Sequence, residues 1–469
     1  MFTLARRKAG LCALVFWCAA VLCGDEALAA ERQRPEVGQS GFVRLRESVD
    51  LTLGRHHSLK SIQENRIAIE HERNKAYAGY GPRVDLLGKA GFNYLSNPTT
   101  RGLGTDDRMY AATSFQATLI QPLWDGWATR SRVRSTQATL DSMSSRVYDN
   151  ATTLALDAII AHIDVLRMRK ILTLADVNVE RHRELLASAQ DRASMGADTE
   201  ADVSQAHGRL ERALSYQEDA RNKLHHAENT YRRLTGIKAP ENLEEVSMPT
   251  PMFNSAQEVL DAVERYNPKL EAYKFDILAA RGQKELAESE FYPHFSIEAG
   301  PAWTNRAGDG EQWTESFEVM GVVRWNIFKS FADVEATRAA SARERQARQT
   351  MYDLMDTLMK DVKDTWDDYM NAQQQQIHYS NAVGYNIRTR DAYREQFFLG
   401  NRTLLDVLDS ESELYNSTTQ LATAEGNILV GAYKLYGISG ELLDNLGVEK
   451  SPLLVQPAAD DPAPVMNFQ

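Results

Sequence analysis

The sequence predicts a mainly α-helical chain that also supplies strands to a membrane β-barrel. Three observations predict it. The chain repeats one plan twice, each copy holds a very long helical stretch, and each copy holds two strands with one apolar and one polar face.

The repeat is read from landmarks at fixed offsets. Leu59 and Pro82 of the first copy match Leu270 and Pro293, each 211 positions on. Leu123-Trp124-Asp125-Gly126 matches Ile327-Phe328-Lys329-Ser330 at an offset of 204. Gly196, Thr199, Asp202 and Val203 match Gly400, Thr403, Asp406 and Val407 at that same offset. The shorter second offset means that the first copy has a longer loop between its strands.

Residues 1–29 read as a secretory signal. Arg6, Arg7 and Lys8 are positive, residues 9–22 are apolar, and Ala27-Leu28-Ala29 is a small-residue cleavage site. A membrane anchor is the rival reading, but about 14 apolar residues are too few to span a bilayer. Lipid attachment at Cys23 is disfavoured by bulky Leu22 just before it. All three cysteines, Cys12, Cys18 and Cys23, fall in this segment, so disulfide scaffolds and cysteine–metal sites are excluded from the mature chain.

The first copy is expected over 30–236: a helix near 43–80, strands at 83–95 and 110–123, a long helix near 127–195, and a return helix ending at Gly236. A proline-bearing linker follows at 237–254. The second copy is expected over 255–437, with a helix near 255–291, strands at 293–304 and 315–327, and helices near 329–399 and 402–436. Residues 438–469 form a C-terminal segment whose last part, 452–469, carries four prolines and reads as disordered.

The long helices show apolar stripes at helical spacing, Leu156, Ile159, Ile160, Ile163 and Leu166 in one, Leu354, Leu358, Val362, Trp366 and Tyr369 in the other. Stripes alone also fit a secreted coiled-coil scaffold or adhesin. The strands separate the readings. Val84, Leu86, Ala90, Phe92 and Tyr94 alternate with Arg83, Asp85, Lys89 and Asn93. Phe115, Ala117 and Leu119 do so in the second strand, Phe295, Ile297, Ala299 and Trp303 in the third, and Phe317, Val319, Val323 and Trp325 in the fourth. Each run is long enough to cross a membrane as a tilted strand of roughly 9–11 residues. A water-soluble sheet packed on helices would alternate in the same way. Four strands cannot close a barrel, so the membrane reading requires an oligomer.

Composition and motifs narrow the function. The net charge of −12 argues against a nucleic-acid partner. His56-His57 and His225-His226 are adjacent pairs that diverge on a helix, with no ligand spacing around them, so no metal is expected. Gly102-Leu103-Gly104 lacks the third glycine of a nucleotide loop. There is no nucleophile elbow or phosphate loop, so neither enzyme activity nor a cofactor is expected.

The segment Leu399-Gly400-Asn401-Arg402-Thr403-Leu404-Leu405-Asp406-Val407-Leu408-Asp409, followed by Glu413, Leu414 and Tyr415, resembles the periplasmic tip motif of the TolC-type outer-membrane efflux proteins. Met195-Gly196 through Asp202-Val203 resembles its first-repeat counterpart. The resemblance spans nearly the whole mature chain. It implies a homotrimer sharing a twelve-stranded β-barrel and a long α-barrel, set in the outer membrane and reaching through the periplasm. It implies a passive exit duct docked by a periplasmic adaptor and an inner-membrane pump, with the poor lipid signal favouring type I protein secretion over drug efflux.

For the tip, the residues themselves predict helix reversals, with Gly196 and Gly400 as turn glycines, Thr199 and Thr403 as N-caps, and Asp202, Asp406 and Asp409 as carboxylates in first turns. The resemblance adds adaptor docking at these tips, pore-constricting rings from Asp406 and Asp409, and a gate ion pair between Arg402 and Asp202. The family's best-known member has tyrosine where Phe397 stands, so a hydrogen bond of that lock has no donor here.

Overall fold

The computed structural model describes residues 42–454, apart from 95, 97, 105, 107–108, 197–198, 307–312 and 450. The signal segment 1–29 with its cysteines, residues 455–469 and parts of both strand-connecting loops lie outside the described residues.

The elements in chain order are β1 (Phe42–Val43), α1 (Leu45–Arg55), α2 (His57–Tyr77), β2 (Arg83–Tyr94), α3 (Pro98–Leu103), β3 (Met109–Trp124), α4 (Ala128–Ser194) and α5 (Glu200–Thr235). There follow β4 (Asn242–Leu243), α6 (Ala256–Tyr266), α7 (Pro268–Glu288), β5 (His294–Arg306), β6 (Trp313–Arg324), α8 (Ala332–Phe398), α9 (Leu404–Ser439) and α10 (Leu442–Asn445). Lengths repeat between halves. α4 and α8 both have 67 residues, and α5 and α9 both have 36. At 1.5 Å per residue each long helix reaches about 100 Å. Among the described residues no helix is long and apolar enough to cross a membrane.

Four differences from the sequence reading have local causes. The single helix expected at 43–80 is two helices, broken at His56, whose ψ of 126° is extended. The helix expected at 255–291 breaks at the equivalent Asn267 (ψ 115°), where Pro268 fills the first helical position and the Asn267 side chain accepts from the Leu270 amide at 2.9 Å. The return helix expected to end near 436 runs to Ser439 and closes on Gly440 at φ 89°, the counterpart of Gly236 at φ 79°. Finally, the start of the tail is ordered. Ser451–Leu454 makes a 3₁₀ turn, Leu453 enters the main core, and Gln63 and Arg66 donate to the carbonyls of Leu453 and Leu454 at 2.8 and 3.3 Å.

The linker is likewise packed. β4 pairs in parallel with β1, and Tyr433 donates to the Ser247 carbonyl at 3.0 Å. Beside it, buried Ser48 lies 3.1 Å from His162 and 2.8 Å from Tyr231, while His162 reaches the Glu244 carbonyl at 2.9 Å. Burial lowers the imidazole pKa, which keeps His162 neutral in this network.

The long strands form one antiparallel sheet in the order β2-β3-β5-β6. Its register puts like with like. Val84, Leu119, Ala299 and Val319 stand in one row across all four strands, and Lys89, Ser114, Thr304 and Thr314 in another. The apolar face is bare. Leu86 is 82% exposed, Phe92 79% and Phe317 70%. Edges β2 and β6 have no partner strand among the described residues.

The helices show the same openness. α4 packs against α2, α5, α7 and α9, and α8 packs against α7 and α9, which leaves α2, α5 and α8 outermost. α5 meets α4 through alanines one heptad apart, Ala206, Ala213 and Ala220, all buried. α8 keeps Tyr352, Met359, Ile377 and Tyr385 exposed along its length.

Candidate functional site at the helix reversals

The two reversals, α4 to α5 and α8 to α9, are built alike. Gly196 and Gly400 stand at φ 79° and 80°, in the left-handed region that a side chain disfavours. At the second tip the Gly400 amide donates to the Phe397 carbonyl at 3.0 Å, and the Asn401 amide to the Gln396 carbonyl at 2.8 Å. This pair of bonds is a Schellman closure, which satisfies carbonyls orphaned at the helix end.

Thr199 and Thr403 then start the return helices. The Asp202 amide donates to the Thr199 hydroxyl oxygen at 3.3 Å, and Asp202 accepts from the Thr199 amide at 3.0 Å. Thr403 and Asp406 repeat this reciprocal box at 3.3 and 3.4 Å. The Thr199 hydroxyl and amide hold the Asp202 carboxyl below the usual carboxylate range. The Thr403 hydroxyl, its amide and Arg402 do the same for Asp406.

Within one chain, the ion pair expected between Arg402 and Asp202 is not formed. Asp202 serves its own cap, and Arg402 lies one turn before Asp406. The Arg402 guanidinium is 3.5 Å from the Asp406 carboxylate, donates to Gln396 at 3.2 Å and covers the Tyr393 ring at 4.1 Å. Asp409 stands on the exposed side of α9 and pairs with Arg209 of α5.

The tips share one core. Leu185, Leu186, Ala189 and Ala206 of the first hairpin pack with Phe397, Leu404, Val407 and Leu408 of the second. Phe397 is 1% exposed, and burying such a ring stabilises by roughly 1.5–3 kcal/mol. Arg192 of α4 lies 4.5 Å over its ring and donates to its carbonyl at 3.3 Å. Phe397 thus joins the hairpins by packing, where a tyrosine would need a hydrogen-bond partner.

Sequence reasoning passed over Arg192, Arg209 and the pairs Arg394–Glu184 (3.2 Å) and Arg390–Glu411 (3.8 Å). Their signal was absent because each pair joins helices about 20 to 210 positions apart. Burial pushes the Glu411 carboxyl pKa up against the opposing Arg390. Among the described residues no group of three histidines, cysteines or carboxylates is placed to hold a metal.

A sheet open at both edges with a bare apolar face, carried on helices about 100 Å long, has the form of a strand-and-helix subunit of a membrane-embedded conduit. The chain belongs to the outer membrane efflux protein family, whose model matches residues 49–237 and 259–441. It is 23% identical over 380 residues to the outer membrane efflux protein BepC of Brucella suis, covering 81% of this chain and 82% of that one. It is 23% identical over 415 residues to the alkaline protease secretion protein AprF of Pseudomonas aeruginosa, covering 84% and 85%. Its fold superposes on that of the outer membrane protein VceC of Vibrio cholerae with a TM-score of 0.72, at 14% identity, over 87% of this chain and 96% of that one. The protein is therefore an outer-membrane efflux channel subunit, with its strands in the membrane and its helices in the periplasm.

Proposed function

We propose that three copies of this chain close into a twelve-stranded barrel continued by an α-helical tube, forming a passive exit duct. The observation that carries this is the sheet open at both edges with its apolar face bare. Pairing β6 of each copy with β2 of the next removes both edges and gives the apolar face to lipid. The outermost helices α5 and α8 meet by the same operation. Asp406 and Asp409, three apart on α9, then form carboxylate rings around the lumen at the periplasmic end. Arg402 of one copy meets Asp202 of the neighbouring copy there, as a gate pair.

The tips at Gly196, Thr199, Gly400 and Thr403 are the docking points for a periplasmic adaptor, which brings an inner-membrane pump. Type I protein secretion is favoured as the task by the bulky Leu22 before Cys23 and by the likeness to a protease secretion protein. Deleting the chain should remove polypeptides from the culture medium and leave drug susceptibility unchanged. An intact medium with raised susceptibility would replace protein secretion by drug efflux.

A further inference from the structure

We propose that the strand-to-helix junction of the first copy carries a seat for the head group of a zwitterionic phospholipid, one bearing a phosphate and a primary ammonium. The inference rests on the placement of the strands in the outer membrane and not on the trimer. At the end of β3 a bulge after Pro122 sets Trp124 opposite Phe295 on the apolar face, with ring centroids 5.6 Å apart. Trp127 and Tyr292 continue this patch past the last strand row, 5.3 and 6.1 Å from Trp124 and edge-on to it. Aromatic rings at the rim of a lipid-facing sheet mark the level of the head groups. Beside them, between the start of α4 and the end of α7, lies a cavity of about 280 Å³. Its wall is built by close approach. Gly126, at φ 62°, stands where a Cβ would lie 2.8 Å from both the Ser289 carbonyl oxygen and the Tyr292 Cβ.

Four charged residues line the cavity, two of each sign. Arg134 and Glu285 satisfy each other at 2.8 Å. Arg130 and Glu288 remain, and among the described residues neither has a hydrogen bond or an ion pair, with each other or with anything else. A cation and an anion held apart in one cavity match a ligand that carries both charges on a short chain. The phosphate falls to Arg130 and the ammonium to Glu288. The rings of Trp127 and Tyr292, at 90° to each other, give the ammonium its second contact. The second copy has no such seat. There, 204 positions on, Phe331 replaces Trp127 and Val334 replaces Arg130, and α8 opens on Asp333 and Glu335. α4 has no acid in its first turn and places Arg130 there, against the helix dipole. The Thr129 amide at that end is already capped by the Asp125 carboxylate at 2.8 Å. A bound phosphate therefore meets the arginine rather than the helix end, and offsets its charge.

The test places the full-length protein in vesicles of phosphatidylethanolamine, phosphatidylglycerol and phosphatidylcholine in equal amounts. The protein is then extracted in mild detergent, and the lipids that stay bound are counted by mass spectrometry. Phosphatidylethanolamine should be retained about tenfold over the other two, since each of them lacks one charge-assisted contact. Phosphatidylglycerol has no ammonium, and the quaternary ammonium of phosphatidylcholine has no N–H to donate to Glu288. Arg130→Ala should cut phosphatidylethanolamine retention by about tenfold. Glu288→Lys should instead turn the preference towards phosphatidylglycerol, a gain that a folding defect does not imitate. Arg132→Ala, on the same helix turn but outside the cavity, should retain lipid as the wild type does. Equal retention of the three lipids by the wild-type protein would overturn the seat. So would Arg130→Ala protein that keeps its phosphatidylethanolamine, or an equal loss in Arg132→Ala.

Discussion

At the tips, single backbone angles set the shape of the helix reversals. Gly196 and Gly400 have open space where a side chain would project, so steric crowding is not what selects glycine there. The left-handed φ is, at about 1–2 kcal/mol for any other L-residue. Gly400→Asp should therefore reshape the turn and abolish export while leaving the oligomer intact, checked by secretion assay beside crosslinking. Normal export would show that docking does not use this turn. The capping carboxylates have a pH signature. Their folded pKa values are depressed, so their stabilisation is present above the unfolded value and is lost as pH falls through the folded one. Amide protection at the first turns of α5 and α9, taken relative to the intrinsic exchange rate at each pH, should thus be steady at neutral pH and fall only below about pH 4. Thr199→Ala should raise exchange at the α5 start at every pH, by the roughly 1 kcal/mol of a lost N-cap. At this scale the sequence was legible for glycines and caps, because they are local motifs. It was silent on the cross-hairpin pairs Arg209–Asp409 and Arg192–Phe397, because nothing in spacing joins positions some 200 apart.

Among elements, the helix ends were readable from Gly236, Thr199 and Thr403, and the strands from their alternation. The breaks at His56 and Asn267 were not read. The Asn267-Pro268 pair is a recognisable stop-and-start signal, but His56 has no such signature and its break shows only through its counterpart. The strand-to-helix junctions were equally hidden. Trp127 and Phe331 hold φ of 67° and 64°, a conformation that aromatic residues disfavour and no pattern announces. The alanine heptad of α5 is a sharper case of pattern meeting packing. Ala213→Leu should force α5 off α4 and destabilise by about 1–3 kcal/mol. A lowered melting temperature in detergent, with the strand signal retained in circular dichroism, would register it. An unchanged melt would mean that α5 is held by its tip rather than by its seam.

At the level of the whole chain, the two helical hairpins are equal in length but unequal in burial. α4 is covered on several sides, while α8 keeps an apolar stripe open to solvent, and the sheet keeps an entire apolar face. Such faces persist only where lipid or another copy covers them. That inequality was not legible in the sequence, since α4 and α8 carry similar helical stripes, and only the packing order shows which helix is outermost. The proposed gate depends on closure of the proposed trimer. Arg402→Ser and Asp202→Ala should each raise single-channel conductance, and together by less than the sum, because both cut one contact between copies. Additive or absent changes would leave Arg402 with its in-chain partner Asp406 alone. Most direct for the central claim is the subunit count of the detergent-extracted protein, by light scattering with chemical crosslinking in intact cells. Closure of the four-stranded sheets predicts a trimer in the outer-membrane fraction, released only by detergent. A monomer recovered from the detergent-free periplasmic extract would contradict it.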